Sequence, residues 1–229
     1  MIKNKDGFVF KYGSIYNENI DQGARHLKKQ SVLVDLIVAE PVMKKSLACK
    51  QDTVFISSAS FLLKKGGSFL VFSPVELIGQ TFQTAKKAKL LYKNMLVFED
   101  LSKSPNGQSK KFFTSTTVAI LWFIKPGAKV YFSSQNLPYV SPVIKASFDK
   151  DFDKYDERVV NNQKPIKVYN RLLNFFSQQN ETVLFTHAAG GSGVISALSM
   201  KRNWLAFVNN SDIFTKTKDR IDKFKNSNN

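Results

Sequence analysis

Short apolar, β-branched runs alternate along this chain with stretches whose apolar residues recur at helical spacing. Such runs are typical of strands that are buried on both faces of a sheet. The clearest run, VLVDLIV, predicts a strand at residues 32–38. One further strand is predicted directly before the loop AAGGSG, and another after the helix that follows this loop. The remaining predicted strands lie at 68–72, 95–101, 112–125 and, as a short segment, 129–136.

Predicted helices lie between these strands. Apolar residues spaced three to four positions apart place one face of a helix against a core. One helix is predicted directly before a turn at 64–67. Three others are predicted at 74–95, at 165–179 and at 211–226. Ser211 is predicted to cap the last of them, and Pro165 suits the first turn of the one before it. The apolar face of the helix at 165–179 consists of Ile166, Tyr169, Leu172, Leu173 and Phe176.

This alternation predicts an α/β fold, with a mostly parallel sheet and helices on both faces. The 229 residues suit one such domain, so we predict a single domain over 1–229. The pattern breaks down at 137–162, where prolines and dense charge predict an exposed connection.

Composition limits the cellular location that is expected and the disulfide or metal chemistry that is possible. No apolar run approaches the roughly 20 residues that span a bilayer, and the N-terminus lacks the apolar core of a signal peptide. A cytosolic or nuclear location is therefore expected. Cys49 is the single cysteine, which excludes an internal disulfide and a cysteine-based zinc cluster. His26 and His187 have no ligand spacing, so no metal site is expected.

Net charge indicates the class of partner. Lysine and arginine number 34 against 18 acidic residues, which gives a formal charge of +16. Such an excess attracts polyanions, because each neutralised phosphate releases condensed counterions. Nucleic acid is therefore the first candidate partner. An anionic membrane surface is the second, although no basic amphipathic helix stands out to support it.

Five segments, taken in order, resemble the DNA amino-methyltransferases of the β arrangement, in which the catalytic segment precedes the cofactor segment. The resemblance extends over nearly the whole chain, from about residue 13 to 224. QKP and the glycine loop lie at the positions along the chain where the family has these motifs. The five segments are DLIVAEPVM at 35–43, STTVAILWFIK at 115–125, QKP at 163–165, TVLFTHAAGGSG at 182–193 and KRNWLAFVN at 201–209.

The resemblance implies a Rossmann-like S-adenosylmethionine-dependent methyltransferase fold and assigns roles by position. In this family a short polar residue followed by proline holds the target amine, and an aromatic residue two positions later stacks on the flipped base. Acidic residues at two strand ends bind the methyl donor beside the glycine loop. The corresponding catalytic positions here are Glu40, Pro41, Val42 and Met43. The cofactor positions are Phe185, Thr186 or His187, then Gly190, Gly191, Ser192 and Gly193, and finally Val208 followed by Asn209.

The residues at these positions depart from the family's chemistry. Glu40 is one methylene too long for a clamp whose geometry tolerates about 0.5 Å, and Met43 offers no stacking face. None of the three candidates for the first acidic position is acidic, and Val208 occupies the second. Because polar ligand groups without partners lose several kcal/mol, these departures together predict that catalysis is lost. No cofactor is then expected, whereas S-adenosylmethionine is expected if the chain is active.

The resulting hypothesis is a non-catalytic, DNA-binding subunit that pairs with an active methyltransferase subunit. The region at about 125–162 occupies the family's target-recognition position as a short insertion. Loop lysines near the former site are the candidate phosphate contacts. These lysines are Lys44, Lys45, Lys103, Lys110, Lys111 and Lys145, with Lys150 as a further candidate.

Two other hypotheses stay open at this point. A divergent but active enzyme would use Glu40 to orient a target amine in DNA or RNA and would hold the donor through the glycine loop. A structural or assembly protein, including an RNA-binding one, would reuse the fold for contact alone, with some of the 20 phenylalanines at an interface.

Overall fold

The computed structural model describes residues 7–10, 12–41, 53–102, 116–147, 155, 157–161 and 163–227. Within these residues a single sheet has nine strands. They are β1 (Gly7–Phe10), β2 (Gly13–Tyr16), β3 (Val34–Ala39), β4 (Leu63–Ser73), β5 (Leu91–Asp100), β6 (Thr117–Ile124), β7 (Val143–Ala146), β8 (Thr182–Phe185) and β9 (Asn203–Phe207).

The strand order across the sheet is β1-β2-β9-β8-β3-β4-β6-β5-β7. Parallel pairing joins β2 to β9, β9 to β8, β8 to β3, β3 to β4 and β5 to β7. The pairs that include β1 or β6 are antiparallel. The predicted mostly parallel sheet is therefore confirmed.

Six helices cover the two faces of this sheet in the described part of the chain. They are α1 (Ile20–Lys29), α2 (Phe55–Ser60), α3 (Ile78–Lys87), α4 (Ile166–Phe176), α5 (Ser192–Ser199) and α6 (Ser211–Asn226). Successive side chains of β3 point to opposite faces, as the strand period of two requires. Leu36 and Val38 pack with α4, α5 and α6, whereas Ile37 and Ala39 pack with α1, α2 and α3. The sheet thus separates two hydrophobic cores.

Several predicted boundaries are wrong for local reasons. The turn at 64–67 lies inside β4, where Gly66 adopts φ +80 as it passes the Lys129 carbonyl. The helix predicted at 74–95 ends at Lys87, and the chain reverses through Lys89 at φ 58 before β5 begins. Residues 129–136 form no strand. The connection at 137–162 contains β7 instead.

Helix ends and the N-terminal elements also differ from expectation. Asn210, rather than Ser211, caps α6, because its side chain accepts a hydrogen bond from the Ile213 N–H at 3.0 Å. The helix predicted at 165–179 stops at Phe176. The sequence pattern does not predict β1, β2 or α1. None of the helices in the described ranges is both apolar and long enough to cross a membrane.

Candidate active site

The acid–proline motif after β3 and the glycine loop after β8 lie side by side. At this point of the sheet the chain connections leave in opposite directions. β3 and β8 are parallel neighbours, with Leu36 beside Val183. The chain leaves β3 for β4 on one side and leaves β8 for β9 on the other. Ligands of open α/β sheets bind at the carboxyl ends of strands beside such a switch point. Glu40 and Pro41 follow β3 directly, and the Thr186 N–H donates to the Val38 carbonyl at 3.3 Å.

Glu40 is engaged by two side chains of this same chain. Its Oε1 accepts a hydrogen bond from Lys164 Nζ at 2.7 Å, and its Oε2 accepts one from the Tyr169 hydroxyl. The Lys164 and Glu40 side chains are 14% and 19% exposed, so solvent screens their attraction little. Burial, followed by the Glu40 charge, raises the pKa of Tyr169 well above its usual value. The tyrosine therefore stays a donor to the carboxylate, and each carboxylate oxygen accepts one hydrogen bond from within the chain.

The glycine loop forms a tight turn that starts α5. Gly191 has φ +80, a left-handed conformation that glycine adopts without strain, and its N–H donates to the Ala188 carbonyl at 2.7 Å. Side chains of α6 donate hydrogen bonds to the carbonyls of this loop. Thr217 Oγ1 donates to the Ala189 carbonyl at 2.5 Å, and Arg220 Nη1 donates to the Gly190 carbonyl at 2.5 Å.

A second layer of the chain covers the loop. Arg220, which is 3% exposed, also donates to the Tyr155 carbonyl through Nε at 3.1 Å and through Nη2 at 2.7 Å. Gln163 accepts from the Val159 N–H at 3.0 Å and donates to the Glu157 carbonyl at 2.8 Å. A Cβ added to Gly190 would collide with Gln163 Oε1. The glutamine side chain therefore fills the space directly over this glycine.

Apolar side chains occupy the last position of β8, which is one of the three candidates for the first donor-binding carboxylate, and the position after β9, which is the candidate for the second. Phe185 at the end of β8 is 2% exposed, and Val208 after β9 is 4% exposed. The Phe185 ring lies against α5, since a Cβ on Gly193 would meet its Cε1 at 2.5 Å. The Phe185 ring also lies edge-on to the Tyr169 ring, with the two ring centroids 6.2 Å apart. Close packing with Phe185 is thus a structural reason for glycine at 193.

His187 is a half-buried, neutral side chain beside this loop. Its Nδ1 lies 2.8 Å from Thr186 Oγ1, and its ring meets the edge of Phe55 with the centroids 4.8 Å apart. Burial lowers the pKa of His187 from 6.5 to about 4, against the opposing pull of Asp21. Asp21 accepts a hydrogen bond from Ser58 Oγ at 2.5 Å. At neutral pH the imidazole is therefore uncharged.

Acidification is expected to destabilise the protein through His187. Below pH 6.5 the unfolded chain binds a proton at this residue, whereas the folded chain does not until about pH 4. Stability present above pH 6.5 is therefore lost as the pH falls towards 4, by about 2–3 kcal/mol. Urea unfolding of the wild type and of His187→Gln at several pH values checks this. The difference in unfolding free energy between them should change across this window, and parallel curves would contradict the assignment.

The structure brings most of the described candidate residues to one edge of the sheet. Lys145 is the exception, because it lies on β7, four strands from β3, and pairs with Glu99 at 3.1 Å. Val42, Met43, Lys44, Lys45, Lys103, Lys110, Lys111 and Lys150 lie outside the described residues. Those that meet near the switch point are Glu40, Pro41, Thr186, His187, Gly190, Gly191, Ser192, Gly193 and Val208.

Sequence reasoning missed the partners of these residues. Lys164 belongs to the QKP motif, but nothing in the sequence indicates that it pairs with Glu40, 124 positions away. The sequence pattern assigns Tyr169 to an apolar helix face, and it does not single out Arg220 or Asp21. In the described ranges, no group of three or more His, Cys, Asp and Glu side chains could hold a metal ion.

Comparison with known proteins identifies the fold. No protein-family model matches the chain, and no curated protein matches it. Solved structures do match. M1.HpyAVI in complex with SAM has a TM-score of 0.78 at 18% identity, over 90% of this chain and 98% of that one. The cytosine-N4-specific PvuII DNA methyltransferase has a TM-score of 0.75 at 12% identity, over 95% and 92%.

A third match is the Thermus thermophilus protein TTHA0409, complexed with S-adenosyl-L-methionine. It has a TM-score of 0.65 at 15% identity, over 92% of this chain and 95% of that one. This chain therefore has the Rossmann-like fold of the S-adenosylmethionine-dependent methyltransferases. More narrowly, its fold is like that of the β-class DNA amino-methyltransferases, as the order of its sequence motifs predicts.

Proposed function

We propose that this chain is a catalytically inactive, methyltransferase-like protein that serves as a DNA-binding subunit of an active DNA adenine or cytosine amino-methyltransferase. One observation carries the proposal. At the described positions that would have to face substrate or donor, the side chains are apolar or already bonded within the chain, as Phe185, Val208 and Glu40 illustrate.

The chemistry of the methyl donor argues against its binding here. S-adenosylmethionine presents an ammonium group and ribose hydroxyls, which need acceptors at the ends of β8 and β9. Phe185 and Val208 supply none, and Gln163 fills the space over Gly190. The Thr186 hydroxyl and His187 Nδ1 at the end of β8 are engaged with each other, 2.8 Å apart, and neither is a carboxylate. The described residues thus do not fit the donor. Unpaired polar groups of a buried ligand lose several kcal/mol of binding free energy.

The target side of the site supports the same proposal. A carboxylate that holds an exocyclic amine needs a lone pair directed at it. Each oxygen of Glu40 already accepts one hydrogen bond, one of them from an ammonium group, so an amine would have to compete with these partners for the carboxylate. Displacing Lys164 would leave a charge without its partner in a largely buried position, which costs about 3–5 kcal/mol.

The retained fold and charge support the DNA-binding part. The solved structures of similar fold include a cytosine-N4-specific DNA methyltransferase, and this chain carries +16. A complete fold that keeps its positive charge but loses its reactive groups suits a subunit that supplies contact surface.

Calorimetry with S-adenosylmethionine and transfer of labelled methyl to duplex DNA test the proposal directly. We expect neither cofactor binding nor transfer by the isolated chain. We do expect salt-sensitive DNA binding and co-purification with an active methyltransferase from the native cells. PvuII DNA methyltransferase serves as the positive control for both assays. Methyl transfer by the isolated chain, or the absence of both DNA and a methyltransferase partner, would refute the proposal.

A divergent but active DNA or RNA amino-methyltransferase is the second candidate. Two observations favour it: Glu40 keeps a carboxylate at the end of β3, and Asp21 places another near His187. Methyl transfer by the wild-type chain that Glu40→Gln abolishes while DNA binding persists would identify an enzyme. Salt-sensitive DNA binding without transfer by the wild-type chain would identify a non-catalytic subunit.

A further inference from the structure

Exposed cations gather at the edge of the sheet opposite the candidate active site. The strands β3, β4, β5, β8 and β9 all begin at this edge, and the antiparallel strand β6 ends there. α1 and α3 also end at this edge, because they lead into β3 and β5. We call the following residues the amino-end basic face: Arg25, Lys28, Lys29, Lys64, Lys65, Lys86, Lys87, Lys89, Lys93, Lys129 and Lys201, all of them exposed.

Specific contacts join the separate parts of this face. Lys28 Nζ lies over the exposed Phe61 ring, 4.4 Å from its centroid, which links the end of α1 to the start of β4. Lys125 Nζ donates to the Ser60 and Leu63 carbonyls at 3.0 and 2.7 Å, which links the end of β6 to the same place. Burial, followed by the neighbouring Lys65 ammonium, lowers the pKa of Lys125.

Few carboxylates offset these charges. Among the described residues at this edge, Asp35 and Glu181 are the acidic side chains. Asp35 accepts from Lys64 Nζ at 2.6 Å and from the Thr182 N–H at 2.9 Å, and Glu181 accepts from the Gln178 N–H at 2.7 Å. At the opposite edge, carboxylates follow several strands and helix starts. These are Glu18, Asp21, Glu40, Glu76, Glu99, Asp100 and Asp212.

Helix stability explains part of this arrangement but not the whole. Cations in the last turns of α1 and α3 complement the helix dipole, which accounts for Lys28, Lys29, Lys86 and Lys87. Lys89 and Lys201 directly follow the ends of α3 and α5. Lys64, Lys65, Lys93 and Lys129 lie on strands or in a loop, and the helix dipole does not account for them. A concentration of like charge destabilises the folded state by repulsion. A bound polyanion would relieve this repulsion.

We propose that the amino-end basic face is a second nucleic-acid-binding surface, which contacts phosphates on the side of the protein away from the candidate active site. It extends across the six strands from β9 to β5, or about 24 Å at the usual strand spacing. This distance matches about 14 phosphates of a duplex. The exposed rings of Phe61 and Tyr92 lie among the lysines, where Lys28 Nζ already covers one face of Phe61 and Tyr92 packs against Phe82.

Nucleic acid suits the face better than an anionic membrane does. A membrane-binding helix inserts an apolar face into the lipid. α1 instead packs its apolar residues Ile20, Ala24 and Leu27 against the sheet, and α3 buries Ala85 there. What remains exposed is a rigid row of strand and helix ends that carries ammonium groups.

This inference rests on the DNA-binding part of the proposed function, and two matched variants separate the two ideas. The first is the amino-face variant Lys29→Gln, Lys65→Gln, Lys87→Gln and Lys93→Gln. The second is the control Lys167→Gln, Lys216→Gln, Lys218→Gln and Lys223→Gln, which removes the same charge from α4 and α6. Binding to a labelled duplex of about 20 base pairs is measured between roughly 50 and 200 mM salt.

The amino-face variant should bind about 30-fold more weakly at about 100 mM salt, and its log–log salt slope should fall by about 3. The control should change affinity less than about threefold. Equal weakening of both variants would overturn this inference while leaving the DNA-binding function intact. A wild-type chain that binds no duplex would overturn both. Sedimentation with phosphatidylserine vesicles but not with DNA would assign the face to a membrane and overturn the inference as well.

Discussion

Arg220→Met should lower the free energy of unfolding by about 4 kcal/mol. The guanidinium is 3% exposed and donates to the Gly190 and Tyr155 carbonyls and to Ser192 Oγ. Methionine fills a similar volume without any donor. The substitution therefore leaves buried acceptors unpaired, and it releases the glycine loop from both α6 and the segment around Tyr155. Chemical denaturation monitored by circular dichroism measures the loss.

Two companion variants show whether the hydrogen bonds are the cause. Arg220→Lys keeps the charge but has fewer donors, so about half of the loss should remain. Arg25→Met removes an exposed guanidinium and should change stability by less than about 0.5 kcal/mol. Hydrogen exchange at residues 190–193 should accelerate in the Arg220→Met variant. If its unfolding free energy stays within about 1 kcal/mol of the wild type, the size of one ordinary hydrogen bond, the arginine does not hold the loop.

Lys164→Met should cost about 3 kcal/mol at neutral pH. The change removes the ammonium group from the largely buried Glu40 carboxylate, which keeps its hydrogen bond from the Tyr169 hydroxyl. The carboxylate is then left without its ammonium partner in a largely buried position. Urea unfolding at neutral pH measures the loss.

A double-mutant cycle isolates this ion pair from the packing of its aliphatic parts. Lys164→Met combined with Glu40→Gln should recover most of the loss, because an amide accepts from Tyr169 without a buried charge. The matched control is Lys145→Met. Its pair with Glu99 is largely exposed and should contribute less than about 1 kcal/mol. Strictly additive single-variant effects would mean that Glu40 and Lys164 do not interact in solution.

Much of the architecture follows from local sequence signals. The buried run before Glu40 and the glycine loop after β8 each predict a strand and its end, and the order of motifs predicts the sheet type. The two N-terminal strands were missed because four residues each are too few for a periodicity to show. The lysines and glycines at 64–67 suggest a turn, yet these residues belong to β4, the strand that pairs with β6.

The site was harder to predict than the fold, because its contacts join distant parts of the chain. Phe185 and Val208 could be recognised as departures from a family pattern, and both side chains are buried. The bond between Glu40 and Lys164 depends on how α4 lies across the sheet, which no local pattern encodes. In the sequence Arg220 is one of several charged residues of a helix, and its role depends on the position of α6 over the glycine loop.

The outermost strands limit how another chain can attach. β1 and β7 form the two margins of the described sheet, and each is four residues long. Such brief margins expose few main-chain donors and acceptors, which disfavours continuation of the sheet into a neighbouring molecule. In the described part of the chain, a partner would therefore meet side chains on helices and loops rather than a long open strand, and surface substitutions could alter its recognition without disturbing the β-structure.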